Sequence, residues 1–211
     1  MSYVVTAVAA YFLGSVPTGF LVAQARGVDI RTVGSGNIGA TNVLRTLGKP
    51  AGIFVLLMDA LKGWLAVVLL PRVVLPVLGA GSDTTTGDVV AIIGGLCVIL
   101  GHNYTCWLHF KGGKGIATSA GVLLALVPVA LASALSLWII VFTLTRYVSL
   151  ASIAASAALP FASWAGGESR IKALVTGAMG ALAIYKHKEN IRRLLNGTEP
   201  RFQRKAKEES K

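Results

Sequence analysis

Charged residues are scarce in this sequence of 211 residues. Only 14% are Asp, Glu, Lys or Arg, against roughly 25% in soluble domains. In contrast, 54% are hydrophobic and the mean hydropathy is +0.68. This composition excludes an ordinary soluble domain and indicates an integral membrane protein.

Signatures of metal, thiol and nucleotide chemistry are also missing. The two cysteines, Cys97 and Cys106, occur in neither a CxxC nor an HExxH arrangement. Lys114 is followed by Gly115 rather than by Ser or Thr, so the glycines around it do not form a Walker A loop. We therefore expect no metal and no cofactor.

Acidic residues are few, 9 against 20 Lys and Arg, which gives a formal charge of +11. Such an excess can indicate nucleic-acid binding. Here the basic residues gather at the ends of apolar runs, where they follow the positive-inside bias and meet anionic head groups. We expect membrane lipids and no nucleic acid as partners.

Apolar runs near the length of about 20 residues needed to cross a bilayer predict the fold. The predicted crossings are residues 3–25, 51–70, 89–100, 116–144 as two helices turning near 128–133, 148–164 and 171–185. A polar turn at 15–18 interrupts the first, and residues 71–87 are predicted as an external loop. The expected fold is all-α, a seven-transmembrane-helix bundle over residues 1–197 with a basic, disordered tail over 198–211.

The distribution of Lys and Arg predicts the topology. All except Lys62, Arg72, Arg170 and Lys172 fall on one side of this arrangement. The positive-inside rule places that side in the cytoplasm, with the N-terminus outside and the C-terminus inside.

The most polar stretch between apolar runs is residues 33–45. Its glycines allow backbone N–H groups to turn inward, its Ser, Asn and Thr add donors, and Arg45 offers a planar fork for phosphate oxygens. The pattern predicts one wall of a phosphate site, and a flexible linker is the alternative. The residues of this wall are Gly34, Ser35, Gly36, Asn37, Gly39, Thr41, Asn42 and Arg45.

A second polar stretch contains His102 and then a glycine-rich segment around Lys114. These glycines permit a tight turn at the start of a helix, where free N–H groups and the helix dipole favour an anion. His102 is expected to support this stretch. The predicted phosphate-binding residues are Lys111, Gly112, Gly113, Lys114 and Gly115.

Asp59 and Lys62 are charges inside the second apolar run. Residues three apart share a helix face, so the two side chains can pair. A functional pair and a structural ion pair near the interface both remain open. Asp59 is expected to steady a cationic group rather than to do chemistry.

A third polar stretch, residues 185–195, is predicted to extend the last helix out of the membrane. His187 and Asn190 share one face, and Arg193 lies three residues beyond Asn190. A basic helix end that reaches the lipid surface explains the neighbouring lysines. For His187 and Asn190 we favour a functional role.

In this order and with this hydropathy, the three stretches resemble the bacterial membrane acyl-phosphate:glycerol-3-phosphate acyltransferase family (PlsY) over nearly the whole chain. The resemblance is carried by Val33-Gly-Ser-Gly-Asn-Ile-Gly-Ala-Thr-Asn-Val-Leu-Arg45, Phe110-Lys-Gly-Gly-Lys-Gly115 and His187-Lys-Glu-Asn-Ile-Arg-Arg193. It implies a seven-helix enzyme that moves an acyl group from acyl-phosphate to the 1-hydroxyl of sn-glycerol 3-phosphate. The products would be lysophosphatidate and phosphate, in the first step of phospholipid synthesis.

The resemblance also implies a site and a setting. The setting is the bacterial cytoplasmic (inner) membrane, with the active site facing the cytoplasm. The soluble enzyme that makes acyl-phosphate is an expected partner besides the two substrates. The implied catalytic residues are Ser35, Arg45, Lys114, His187 and Asn190.

A membrane transporter of a phosphorylated solute is the competing interpretation. Transporters tend to place polar residues near the membrane midplane and often contain two related halves. Here the polar stretches cluster on one predicted side and no internal repeat is found. The sequence therefore favours the acyltransferase.

Arg45→Lys is predicted to lose much of the acyltransferase activity although the charge is kept. A point ammonium does not reproduce a bidentate grip on phosphate. The measurement is kcat/KM of the purified variant. A value near that of the wild type would assign Arg45 to lipid anchoring instead.

Overall fold

The protein was analysed as a computed structural model that describes residues 1–78 and 84–202. The described residues are helical and contain no β-strand, which confirms the all-α prediction. The α-helices are α1 Ser2–Ser15, α2 Thr18–Gln24, α3 Ala40–Leu47, α4 Lys49–Val77, α5 Thr84–Asn103, α6 Ile116–Leu126, α7 Pro128–Thr145, α8 Val148–Ala165, α9 Arg170–Lys186 and α10 Lys188–Leu195. A short 3₁₀ turn, Cys106–Leu108, follows α5.

Five helical segments of the described chain are long and apolar enough to cross a membrane. Large apolar side chains such as Leu57, Phe161 and Leu174 are exposed on them or on α9, as expected for surfaces that face lipid. α6 is apolar but has only 11 residues. The five segments are Ser2–Gln24, Lys49–Val77, Thr85–Leu108, Pro128–Thr145 and Val148–Ala165.

Prolines set several helix boundaries. The predicted interruption of the first span is confirmed, since α1 ends before Pro17 and α2 begins after it. Pro128 is the first residue of α7, so the chain breaks at Val127 rather than within residues 128–133. Proline suits the first turn of a helix because the missing N–H has no intrahelical partner there.

The predicted external loop over residues 71–87 is wrong in its first and last parts. α4 continues through Pro71 and Pro76 to Val77, and α5 already begins at Thr84. Apart from Arg72, the residues around the two prolines are apolar, and a helix is the conformation that best satisfies backbone groups in an apolar environment. Residues 79–83 lie outside the described part of the chain.

The helices form two compact units, Met1–Leu131 and Ala132–Lys211, with α7 beginning in the first and continuing in the second. In the first unit α1 packs on α5, and α4 packs on α6. Glycines allow these close approaches, because a Cβ on Gly14 would collide with the backbone of Val98 and one on Gly121 with that of Ala60. The ends of α1 and α5 are thereby held near one another and near Asp59 and Lys62 in the interior of α4.

In the second unit α8 packs on α9, and α10 contacts both. The chain after α10 returns to this unit, although the sequence predicts a disordered tail from residue 198. The Phe202 N–H donates to the carbonyl of Arg146 at 2.8 Å, and the Phe202 ring meets Phe142 edge to face. Arg201 donates to the Tyr147 hydroxyl at 2.9 Å. Residues 203–211, the rest of the predicted tail, lie outside the described chain.

Candidate active site

The first polar stretch is organised around the buried side chain of Asn42, on the first turn of α3. Its Nδ2 donates to the carbonyl oxygens of Ile30 (3.2 Å), Val33 (3.0 Å) and Asn37 (3.0 Å). Its Oδ1 accepts from the N–H of Ser35 at 3.0 Å. These four bonds give the stretch one defined path, which argues against a flexible linker.

Two glycines make this path possible. Gly34 and Gly36 have positive φ angles of 62° and 67°, which side-chain-bearing residues rarely adopt. A Cβ on Gly34 would also collide with Oδ1 of Asn42. Asn37 adds a further turn, since its Oδ1 accepts from the N–H of Gly39 at 2.8 Å. Asn37 and Asn42 therefore shape the wall, and their predicted contact with phosphate stays a prediction.

An apolar cluster fixes the stretch from beneath. Ile30, Ile38 and Val43 are buried in it together with residues of α2, α4 and the 3₁₀ turn. On the opposite side Ser35 and Arg45 are exposed, and Thr41 is half-buried. The polar groups expected to meet phosphate thus lie on the outer side of a packed support.

The second polar stretch folds back onto the end of α5. The N–H of Gly112 donates to the carbonyl of Asn103 at 3.2 Å, and that of Gly113 to the carbonyl of His102 at 3.0 Å. A Cβ on Gly113 would collide with Nε2 of His102, so only glycine allows the loop to approach so closely. Gly115 has a φ of 79° and comes directly before α6.

Lys114 lies in this loop, half-buried, two residues before the first residue of α6. The predicted turn at a helix start is confirmed. Lys111 is exposed beside it. The preceding residues His109 and Phe110 both have positive φ, at 54° and 61°. A cation therefore stands next to the end of α6 that favours an anion.

Asp59 and Lys62 are paired, as the sequence allowed. The Lys62 Nζ lies 2.9 Å from Oδ1 of Asp59, and Nδ1 of His102 lies 3.6 Å from the same oxygen. All three side chains are buried. The Lys62 ammonium also donates to the Val16 carbonyl at 2.9 Å. The three residues predicted as support therefore form one cluster, which we call the Asp59 cluster, of Asp59, Lys62 and His102.

The third polar stretch is broken at His187 rather than forming one continuous helix. α9 ends at Lys186 and α10 starts at Lys188. The buried His187 ring places Nδ1 2.7 Å from the carbonyl oxygen of Ala183. Because a carbonyl can only accept, Nδ1 carries a proton, and in the neutral ring Nε2 is then the accepting nitrogen. The contact fixes the orientation of the imidazole.

Glu199 is the residue that sequence reasoning missed. Its buried carboxylate accepts from Ser149 Oγ (2.6 Å), Asn190 Nδ2 (2.7 Å) and Arg193 Nε (2.7 Å). Burial raises the pKa of Glu199, but the hydrogen bonds from Ser149, Asn190 and Arg193 outweigh it, and the pKa is lowered overall. A lowered pKa stabilises the folded unit at neutral pH, and this contribution is lost as the pH falls through the folded-state pKa.

A turn signal in the sequence marks the chain reversal that contains Glu199, although it does not identify the partners of the carboxylate. Gly197 has a φ of 68° and Pro200 follows Glu199, so the chain after α10 reverses rather than running on as a polar tail. Asn190 and Arg193 thereby gain an internal anionic partner. The first and second polar stretches belong to one unit and the third to the other. A site shared by all three stays a prediction.

The chemistry offered by these residues is that of anion binding. Ser35, Arg45 and Lys114 supply hydrogen-bond donors and cations. Within the described ranges, 1–78 and 84–202, no group of three or more His, Cys, Asp or Glu residues could hold a metal ion. The fold is that of a helical integral membrane protein, and its polar loops carry groups suited to binding anions.

Comparison with known proteins assigns the family. A family model described as glycerol-3-phosphate acyltransferase matches residues 4–197. A glycerol-3-phosphate acyltransferase of Geotalea daltonii is 45% identical over 203 residues, which covers 96% of this chain and 99% of that protein. The chain belongs to the glycerol-3-phosphate acyltransferase family and is an acyltransferase enzyme.

Solved structures agree with this assignment. Crystal structures of PlsY (YgiH), an integral membrane glycerol 3-phosphate acyltransferase, are similar to this chain in a glycerol 3-phosphate form and a lysophosphatidic acid form. Their TM-scores are 0.84 and 0.82 at 40% and 39% identity, and each comparison covers 96% of both chains. The resemblance seen in the sequence is confirmed, and the transporter alternative is wrong.

Asn42→Ala is expected to loosen the first polar stretch, because three carbonyls and one N–H lose their partner at about 1 kcal/mol each. Amide hydrogen exchange should become faster across residues 30–39, and activity should fall. Thr41→Ala is the matched control, since the Thr41 hydroxyl takes no part in these four bonds. It should leave the exchange unchanged. Unchanged exchange in Asn42→Ala would contradict the structural role.

Proposed function

We propose that this enzyme transfers a fatty acyl group from acyl-phosphate to the 1-hydroxyl of sn-glycerol 3-phosphate, giving 1-acylglycerol 3-phosphate (lysophosphatidate) and inorganic phosphate. The reaction is the first step of phospholipid synthesis. The observation that carries the proposal is the likeness to PlsY over 96% of both chains, in forms named for glycerol 3-phosphate and lysophosphatidic acid. The motifs that carry the sequence resemblance support acyl-phosphate as the donor.

The reaction needs alignment more than activation. The 1-hydroxyl oxygen forms a bond to the acyl carbonyl carbon, the bond from that carbon to the phosphate oxygen breaks, and phosphate leaves with the electron pair. Because acyl-phosphate already has a good leaving group, positioned donors and cations supply most of what the reaction requires. The hydroxyl proton goes to His187 or to a phosphate oxygen of the substrate.

Ser35, Arg45 and Lys114 are proposed to bind the phosphate groups of the two substrates. The exposed position of Ser35 and Arg45 on a rigid wall suits this role, because a preorganised donor loses little freedom when the anion arrives. Lys114 stands beside the start of α6, where the helix dipole adds to its charge. His187 and Asn190, in the second unit, are proposed to be needed for turnover as well.

In this proposal Glu199 holds the side chains of Arg193 and Asn190 in fixed orientations. The carboxylate accepts one N–H from each side chain, so neither can swing away. The rest of the Arg193 guanidinium is the group through which Arg193 would contact substrate. The positive charge of Arg193 is partly offset by Glu199.

The proposed topology has seven crossings. α6 and α9 would add to the five segments long enough by themselves, with the N-terminus outside and the C-terminus in the cytoplasm. The enzyme would lie in the bacterial inner membrane with its polar loops facing the cytoplasm. Glycerol 3-phosphate is soluble and reaches that face directly. Acyl-phosphate would arrive from the soluble enzyme that makes it.

The direct test incubates the purified protein with acyl-phosphate and glycerol 3-phosphate and measures lysophosphatidate and inorganic phosphate by mass spectrometry and a phosphate assay. Equal amounts of both products are expected. A second arm replaces acyl-phosphate by acyl-CoA, which should be a poor donor because the sequence contains no nucleotide-binding pattern. Equal turnover with both donors would contradict the proposed donor specificity.

His187→Gln distinguishes binding from base catalysis. If His187 mainly binds or orients substrate, as we expect from its basic surroundings, Gln keeps a donor, retains substantial turnover and chiefly raises the KM for glycerol 3-phosphate. If His187 is instead the general base, it must be neutral to accept a proton, so activity rises with pH. His187→Gln would then lower kcat by about 10²-fold or more and remove this rise. The measurement is kcat and KM against pH at saturating acyl-phosphate. A collapse of kcat with unchanged KM would make His187 the base.

A further inference from the structure

The Asp59 cluster places two charged side chains and an imidazole inside membrane-spanning helices, where such groups need a reason. Asp59 and Lys62 belong to α4, and His102 to α5. All three are nearly inaccessible, with 2%, 5% and 5% of their surface exposed. None of the three is among the side chains that the proposed function assigns to the substrates. Their effect must therefore pass through the groups that they touch.

His102 touches the Lys114 loop in two ways. Its carbonyl accepts the N–H of Gly113 at 3.0 Å, and its ring Nε2 lies where a Cβ on Gly113 would have to be. The other ring nitrogen, Nδ1, faces Oδ1 of Asp59 at 3.6 Å. The ring is thus held between a carboxylate on one side and the glycine next to Lys114 on the other.

Lys62 ties the same carboxylate to a third helix. Its ammonium lies 2.9 Å from Asp59 Oδ1 and donates to the carbonyl of Val16, at the break between α1 and α2. The charges of Asp59 and Lys62 compensate each other, and the carboxylate held in this way faces the imidazole of His102. Contacts at the end of α1 and within α4 and α5 hold the cluster in place, and His102 in turn contacts the loop.

We propose that His102, oriented by Asp59, is a positioning residue. Its ring sets how closely the Gly113–Lys114 backbone approaches the end of α5 and thereby the position of the Lys114 ammonium. The inference rests on the proposed function only for the identity of the anion that Lys114 meets. The proposal depends on the contact between the His102 ring and Gly113, because this contact limits how closely the loop can pack against α5. Lys62 acts through Asp59 and holds the carboxylate in place.

The kinetic test compares His102→Ala, Asp59→Asn and Lys114→Gln with the wild type. Misplacement of a binding group by an ångström can cost up to about 100-fold in activity. His102→Ala and Asp59→Asn should raise the KM of the same phosphate substrate that Lys114→Gln affects, with a smaller change in kcat. In the Lys114→Gln background, His102→Ala should add little, because the group it positions is already gone.

A size-complementation test removes the ambiguity of simple loss. Gly113→Ala places a methyl group against the His102 ring, so His102→Ala in the same chain should restore kcat/KM by at least about threefold over Gly113→Ala alone. Gly112→Ala is the matched control. Its methyl group would meet the backbone of His102 and Asn103, which no side-chain change removes. His102→Ala should not rescue it.

Limited trypsin digestion provides a readout that does not depend on activity. His102→Ala should increase cleavage after Lys111 and Lys114 several-fold, while cleavage after Lys188, in the other unit, stays unchanged. Rescue of Gly113→Ala together with this local cleavage supports the proposal. Absence of rescue, or equal cleavage of variant and wild type in the loop, overturns it. If the wild type makes no lysophosphatidate, the proposed function fails, and the digestion alone decides the positioning role.

Discussion

The polar centre of the first unit depends on the break between α1 and α2, where backbone groups leave the helical hydrogen-bond pattern and take other partners. α1 stops before Pro17, which leaves the Val16 carbonyl near the end of a broken helix. The Lys62 ammonium reaches it, and Asp59 compensates the charge that this brings into the helices. The same carboxylate faces His102, whose carbonyl and ring meet the glycine-rich loop. The helix break at Val16, whose carbonyl accepts from the N–H of Thr18 and from the Lys62 ammonium, is thereby connected to the loop that carries Lys114.

The three polar stretches share this logic although their residues differ. A buried polar side chain satisfies several neighbours in two of them, Asn42 in the first and Glu199 in the third, and in the second the carbonyls of His102 and Asn103 accept from the N–H groups of the loop. Each leaves the groups suited to phosphate on or beside that support. A buried polar group without partners would be costly, so these bonds are conditions of folding as well as of function. Rigid loops result from side chains that never need to touch substrate.

Much of this could be predicted, because it depends on local chemistry. The helical membrane fold follows from hydropathy, the break at Pro17 from proline geometry, and the pairing of Asp59 with Lys62 from their spacing. The continuation of α4 through Pro71 and Pro76 could not, since proline signals a loop in sequence while apolar surroundings favour a helix. Glu199 was missed for a different reason. Its partners Ser149 and Asn190 lie 50 and nine residues away, and only the folded unit brings them together.

The division between buried support and outer polar groups also explains why no strong acid or base is needed at the loops proposed to bind phosphate. Asp59 and Glu199 are committed to Lys62 and to Arg193. Near Arg45 and Lys114 an uncompensated carboxylate would repel the phosphate groups of both proposed substrates. Placing the acids in buried clusters lets them orient cations and imidazoles without presenting negative charge to the anions. An acyl donor with a good leaving group makes this arrangement sufficient, because the remaining task is to bring a hydroxyl to a carbonyl carbon and to hold two phosphates near one another.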